Sequence, residues 1–204
     1  MPSPSSYLFI NQHRTNVNAL NYYYYSNAFT IDEIERIKRI GESIPKQKAV
    51  VGGEQNGTVD SNTYTGRQSV VSWIDETQDS SWLYEKIGNY AITANKELWN
   101  FDIWGYQDPL QYTTYYGNGG HYDWHVDLGP EMSNRKLSVV LQLADPNNYA
   151  GGDLEINCGG FPYTVPRQLG LLCFFPSFLL HRVTPVTSGT RISLVTWLCG
   201  ANFR

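Results

Sequence analysis

Several features that would mark a specialised class of protein are missing from this sequence. Only three cysteines are present, Cys158, Cys173 and Cys199, and none forms a Cys-x-x-Cys pair. That excludes a disulfide scaffold and a thiolate zinc module, and Cys173 and Cys199, set in apolar runs, read as reduced core residues. No apolar stretch is long enough to cross a bilayer, and Met1–Arg14 has no basic segment followed by an apolar one. A soluble, cytoplasmic protein with no membrane partner is therefore expected. There is no basic excess either: the net charge of −4 and pI of about 5.5 argue against a nucleic-acid partner, which needs a dense cationic footprint. Repeats and interdomain linkers are absent, so the 204 residues read as one domain. Residues 1–105 form a helical and strand extension, and residues 106–204 form a β core.

What is abundant is aromatic: 14% of the chain, with 15 Tyr and 6 Trp. Such rings suit strands and a lined cavity. The run Tyr22–Tyr25 reads as an early strand. Thr30 has the character of a helix N-cap, with Asp32 and Glu33 in the first turn and Ile31, Ile34 and Ile37 at helical spacing. Gly41 and Pro45 are expected to end that helix after about three turns. Residues 46–66, rich in Gly, Asn, Thr and Ser, read as a flexible loop at the substrate entrance. Gln68–Ile74 reads as one strand, and a second helix capped by Asp79 or Ser80 runs to about Trp99.

Beyond Trp104 short apolar or alternating runs are separated by Gly, Pro and Asn. They fall at 110–116, 122–127, 136–143, 153–157, 161–165, 170–175, 179–184 and 190–198. Helices precede these strands and do not alternate with them, which disfavours a parallel α/β sheet. The expected fold is mainly β (α+β), a double-stranded β-helix or jelly roll, cupin-like, with N-terminal helices packed on one sheet.

Three features of this region carry chemistry. In His125-Val126-Asp127 the strand period of two turns an imidazole and a carboxylate to one face. His181 closes the apolar run Phe174–Leu180, where an unpaired polar ring is costly. Two His and one Asp match the facial triad of non-haem iron sites, with open positions left for a chelating 2-oxo acid and O₂. Arg191, ten residues after His181, shares a strand face with Ser193, and its fork matches the far carboxylate of such an acid. Leu171, Leu172, Phe174 and Phe175 are expected to keep water from the pocket. Each feature alone has an ordinary structural explanation; the ordered set is far more specific.

The motif Tyr116-x-x-Gly119-x-x-Tyr122-x-x-His125-x-Asp127 resembles the signature of prolyl 4-hydroxylase-type Fe(II)/2-oxoglutarate dioxygenases. Tyr149–Glu155 is similar to that family's Gly-Gly-acidic hairpin, and His181–Trp197 to its C-terminal metal and co-substrate motif. The likeness covers roughly residues 108–199, with a weaker echo at Arg67-Gln68-Ser69. The resemblance implies Fe(II), 2-oxoglutarate and O₂, with ascorbate as an additional ligand, and hydroxylation of a peptide, protein or free amino-acid substrate, proline first. It implies His125, Asp127 and His181 as metal ligands and Arg191 with Tyr116 at the distal carboxylate. Tyr122 and Arg135 fall on the substrate side. His121, which also spells His-x-Asp with Asp123, is read as a pocket-rim or surface residue, and His13 has no assigned role. A nucleic-acid demethylase on the same fold, a non-catalytic jelly-roll binding protein and a zinc hydrolase are the alternatives; the acidic pI, the complete residue set and the lack of a general base count against them in turn.

Overall fold

A computed structural model of the chain describes residues 22–49 and 66–202. In chain order the elements are β1 (Tyr23–Tyr25), α1 (Ile31–Ser43), β2 (Gln47–Lys48), β3 (Arg67–Gln68), β4 (Val70–Ile74) and α2 (Ser81–Leu98). There follow β5 (Gly105–Tyr106), β6 (Leu110–Tyr116), β7 (Gly120–His125), β8 (Arg135–Gln142), β9 (Tyr149–Gly151), β10 (Leu154–Asn157), β11 (Pro162–Thr164), β12 (Leu172–Pro176) and β13 (Leu180–Cys199). The expected entrance loop at 46–66 falls largely, and His13 wholly, outside the described residues. Of that loop's described flank, Gln47–Lys48 is a short strand paired with β4.

Thr30 begins α1 through a reciprocal capping box. Thr30 N donates to Glu33 Oε2 at 2.8 Å, and Glu33 N donates to Thr30 Oγ1 at 3.3 Å. Ile34, Ile37 and Gly41 form the buried stripe, whereas Ile31 lies a quarter-turn round the helix and is exposed. Gly41 does not end the helix as expected. It lies inside it, because a Cβ there would fall 2.5 Å from the Tyr112 ring. The helix stops at Ser43 because Ile44 precedes Pro45 and is driven to an extended conformation, φ −92 and ψ 134. Ser80 sits at the N-cap position of α2, but its hydroxyl donates to Asp75 O at 2.6 Å and so ties the preceding turn, not the helix.

All strand pairs are antiparallel, and they form two sheets. The larger runs β1-β12-β8-β13-β6-β4-β2. The smaller joins β3, β7, β10, β11 and β9 around β13. The 20-residue β13 belongs to both. Its first half, to Gly189, pairs with β7, β9 and β10; its second half, from Thr190, pairs with β6 and β8. The sequence suggested two strands here, because Pro185 and Ser188-Gly189 look like turn residues. The chain instead absorbs them as register shifts on β7 and β9. The expected strand at 68–74 divides at Ser69, with Arg67–Gln68 pairing β7 in the small sheet and Val70–Ile74 pairing β6 in the large one.

Period-two alternation on β12 separates two cores. Leu172 and Phe174 meet Ile34, Ile37, Leu83 and Ile87 of the helices. Cys173 and Phe175 turn into the space between the sheets with Leu154, Ile156 and Leu171. Of the four residues expected to dry the pocket, Leu171 and Phe175 therefore lie between the sheets, while Leu172 and Phe174 lie under the helices. The helices thus cover one face of the large sheet and leave its other face to the small sheet. All three cysteines are free thiols. Among the described residues no helix is long and apolar enough to cross a membrane.

Candidate active site

The antiparallel register of β7 on β13 places His125 opposite His181. Their ring centroids are 4.1 Å apart. Asp127, just beyond the end of β7, reaches both: Oδ1 is 3.6 Å from His125 Nε2, and Oδ2 is 3.3 Å from His181 Nε2. One ligand atom from each of the three lies within 4.8 Å of the others, the geometry of a group that could hold a metal ion. Both imidazoles are oriented by their far nitrogens, with His125 Nδ1 2.7 Å from Asp123 O and His181 Nδ1 2.9 Å from Leu179 O. A proton on each Nδ1 leaves the Nε2 lone pairs facing the carboxylate, as metal ligation requires. Ser138 Oγ donates to Asp127 Oδ2 at 2.6 Å and fixes the carboxylate from β8.

The charges suit a cation. Burial pushes the Asp127 carboxyl up, but His181, His125 and the Ser138 hydrogen bond outweigh it and hold the acid far below its ordinary range. Burial, aided by His181, pushes His125 down to about 4, so it is neutral at physiological pH. Burial also lowers His181, yet the adjacent Asp127 charge draws a proton to it and the net shift is upward. A divalent metal would take the place of that proton. Two imidazoles and one carboxylate suit Fe(II).

Arg191 enters the same cavity, a space of about 650 Å³ between the sheets. Its side chain is fully buried, with only 1% of the residue exposed. One terminal nitrogen donates to Ser193 Oγ and the other to Gln142 Oε1, each at 3.2 Å, while Nε has no partner. Among the described residues no carboxylate lies within ion-pair distance of it. A buried guanidinium with only neutral partners is costly by itself. It fits a ligand that brings a carboxylate.

The structure brings most of the expected residues to this cavity and leaves Tyr116 outside its lining. Tyr122 stacks on His125, centroids 3.5 Å apart at 15°, and the Arg67 guanidinium carbon lies 4.4 Å from the Tyr122 ring centroid. Arg135 lines the cavity but already pairs with Asp108 at 2.6 Å and lies 3.6 Å over the Trp197 ring. Tyr116, expected beside the distal carboxylate, is 44% exposed and lies outside the cavity lining. Its neighbour Tyr115 pairs with Arg191 across β6 and β13, and its ring centroid lies 5.2 Å from the guanidinium carbon. Alternation along β6 allows only one of two adjacent tyrosines to face the cavity. Gln142, which accepts from Arg191, was not among the expected residues. The signal was there, because Ser138 and Gln142 are polar residues four apart on a buried strand and therefore share a face. His121 sits opposite Gln68, with Nδ1 2.7 Å from Gly119 O, apart from the ligand group.

Comparison with known proteins agrees with this geometry. The model of the 2OG-Fe(II) oxygenase superfamily matches residues 110–199. The PKHD-type hydroxylase YbiX of Escherichia coli is 32% identical over 155 residues, which cover 71% of this chain and 68% of that protein. The chain belongs to the 2OG-Fe(II) oxygenase superfamily. A PKHD-type hydroxylase of Teredinibacter turnerae is 42% identical over 89 residues, 41% of this chain but only 39% of its own length. The match thus spans about two fifths of that relative. In fold, the chain resembles a Trichoplax adhaerens prolyl hydroxylase solved with a hypoxia inducible factor peptide fragment. The TM-score is 0.72 at 16% identity, with 98% of this chain and 94% of that chain covered. It also resembles a Pseudomonas putida prolyl-4-hydroxylase, with a TM-score of 0.65 at 19% identity covering 89% and 94%. Membership implies Fe(II), 2-oxoglutarate and O₂, and the donor set and buried arginine described above fit them.

Proposed function

We propose that the protein is a 2-oxoglutarate-dependent hydroxylase whose substrate is a prolyl or other amino-acid side chain, presented in a peptide. In this reading His125, Asp127 and His181 hold Fe(II). Arg191 and Ser193 bind the distal carboxylate of 2-oxoglutarate, with Gln142 holding the guanidinium fork in plane. When bound, Fe(II) with 2-oxoglutarate and O₂ supplies the oxidising chemistry, in which one oxygen atom enters a substrate C–H bond and the other leaves in succinate as CO₂ is released. The chain's own residues bind, orient and dry the site. Val140, Leu154, Val183 and Val195 give the cavity apolar walls that exclude water. Asp127, kept ionised and tied to Ser138, presents a fixed anionic ligand.

Tyr122 and Arg135 stand on the substrate side. Arg135 is held over the Trp197 ring and paired with Asp108, so it does not offer a free charge. The hydroxylase name of the relatives supports hydroxylation, and the Trichoplax prolyl hydroxylase with its peptide supports a peptide side chain as the form of substrate. The observation that carries the proposal is Arg191: a fully buried cation with an unpartnered Nε, in one cavity with a two-His, one-carboxylate group. The test is incubation with Fe(II), 2-oxoglutarate and a proline-containing peptide library. Peptide-dependent succinate release with a gain of one oxygen on a peptide is expected. Succinate release that no peptide or amino acid stimulates, with no oxygen gained, would count against the reading.

A further inference from the structure

Arg191 is confined on one side by a turn that the metal and co-substrate assignments do not use. Between β9 and β10 the chain passes through Gly151, Gly152 and Asp153, with Gly151 at φ +69 and Gly152 at φ +66. A Cβ on Gly152 would fall 2.8 Å from Arg191 Cδ, 2.9 Å from Val186 Cγ2 and 3.4 Å from Tyr149 Cε2. Only a hydrogen fits between this turn and the stem of the arginine. The turn is stitched to β13: Gly152 N donates to Pro185 O at 3.2 Å, Asp153 N to Thr184 Oγ1 at 2.8 Å, and Thr184 N to Asp153 O at 2.9 Å.

Arg167 locks the turn from the surface. Its Nε is 3.2 Å from Asp153 Oδ1, one terminal nitrogen donates to Gly151 O at 3.1 Å, and its guanidinium carbon lies 5.7 Å from the Tyr149 ring centroid. Tyr149 is buried and stands between the two arginines, close to Gly152 and under Arg167. The exposed Arg167 is thus linked to the buried Arg191 through one turn and one ring.

We propose that the Gly151–Asp153 turn is a positioning device for the distal-carboxylate anchor, in which Gly152 provides the space occupied by Arg191 Cδ and Arg167 holds the turn against β13. The inference rests on the reading of Arg191 as that anchor. Its physical basis is tolerance: the hydrogen bonds from Arg191 to Ser193 and Gln142 are each 3.2 Å, already at the long end, so a shift of a few tenths of an ångström at Cδ breaks them and re-aims the fork. Gly152 and Arg167 touch no ligand themselves; they act through Arg191.

The experiment is calorimetric titration of 2-oxoglutarate into Fe(II)-loaded protein without O₂, with Fe(II) affinity and melting temperature measured on the same samples. Gly152→Ala should weaken 2-oxoglutarate binding by about tenfold or more, and Arg167→Ala by about three- to tenfold, the scale of impairing a charged hydrogen bond. Fe(II) affinity should be unchanged, and Arg167→Lys should recover part of the loss. In an Arg191→Ala background neither substitution should weaken binding further, because the residue they act on is gone. If Gly152→Ala does not fold, Arg167→Ala and its double variant decide alone. Binding by Arg167→Ala within about twofold of wild type, or equal losses with and without Arg191, would overturn the proposal and leave the turn a purely structural feature. If Arg191→Ala alone left 2-oxoglutarate binding intact, the anchor reading would fail first, and this inference with it.

Discussion

Arg191 and Tyr115 face one another across the β13–β6 pair, with the guanidinium carbon 5.2 Å from the ring centroid. Tyr115 is buried and Tyr116 is exposed. Tyr115→Ala should therefore raise the 2-oxoglutarate requirement by roughly three- to tenfold, through a lost wall and lost cation–ring contact. Tyr116→Ala should leave it unchanged. Titrations of both variants check this, and a larger effect at Tyr116 would favour Tyr116 over Tyr115 at the carboxylate.

The metal group gives a prediction that needs no substrate. His125→Ala, Asp127→Ala and His181→Ala should each abolish Fe(II) binding while the fold survives, since the core does not depend on these side chains. Ser138→Ala, which removes the 2.6 Å bond to Asp127, should weaken the metal by about ten- to a hundredfold. Equilibrium dialysis measures both. Full Fe(II) binding by His125→Ala together with its loss in His121→Ala would transfer the ligand role.

Features of the site and the fold differ in how far they could be read from the chain. The His-x-Asp spacing, the isolated His181 and the Arg191–Ser193 face follow from period two within single strands, and the Thr30 cap follows from local hydrogen bonding. The choice of Tyr115 over Tyr116 depends on register between β6 and β13, which no residue near either tyrosine encodes. The break at Ser69 and the continuity of β13 through Pro185 and Gly189 are likewise set by partner strands. Gly41 misled because a glycine near a helix end usually marks a C-terminus, whereas here it makes room for an aromatic ring distant in sequence.

That ring contact predicts a loss where helix propensity predicts a gain. Gly41→Ala places a methyl 2.5 Å from the Tyr112 ring, which is buried and hydrogen-bonded to Glu42 at 2.9 Å. The variant should lose about 1–3 kcal/mol of stability despite the helix propensity of alanine. Urea denaturation measures it, and a stabilised variant would mean that Tyr112 moves freely.

The α1 cap should be acid-sensitive. Burial opposes ionisation of Glu33, but its bonds from Lys86 at 2.6 and 2.8 Å and from Thr30 outweigh it and lower its pKa. A carboxyl whose pKa is lower in the folded state stabilises the fold above its unfolded pKa of about 4.3, and the contribution is lost as pH falls through the folded value. Glu33→Gln should cost about 0.5–1 kcal/mol at pH 7 and nothing near pH 2. Denaturation of both proteins across that range gives the difference; a gap that persists at pH 2 would rule out charge as its source.

The central claim is that Arg191 binds the far carboxylate of 2-oxoglutarate, and one paired titration tests it most directly. Wild type and Arg191→Met, each loaded with Fe(II), are titrated with 2-oxoglutarate and with pyruvate, which lacks that carboxylate. Arg191→Met should bind 2-oxoglutarate roughly ten- to a hundredfold more weakly, as the loss of a charged hydrogen bond requires, and pyruvate about as weakly as wild type does. Equal losses for the two acids, or none for either, would contradict it.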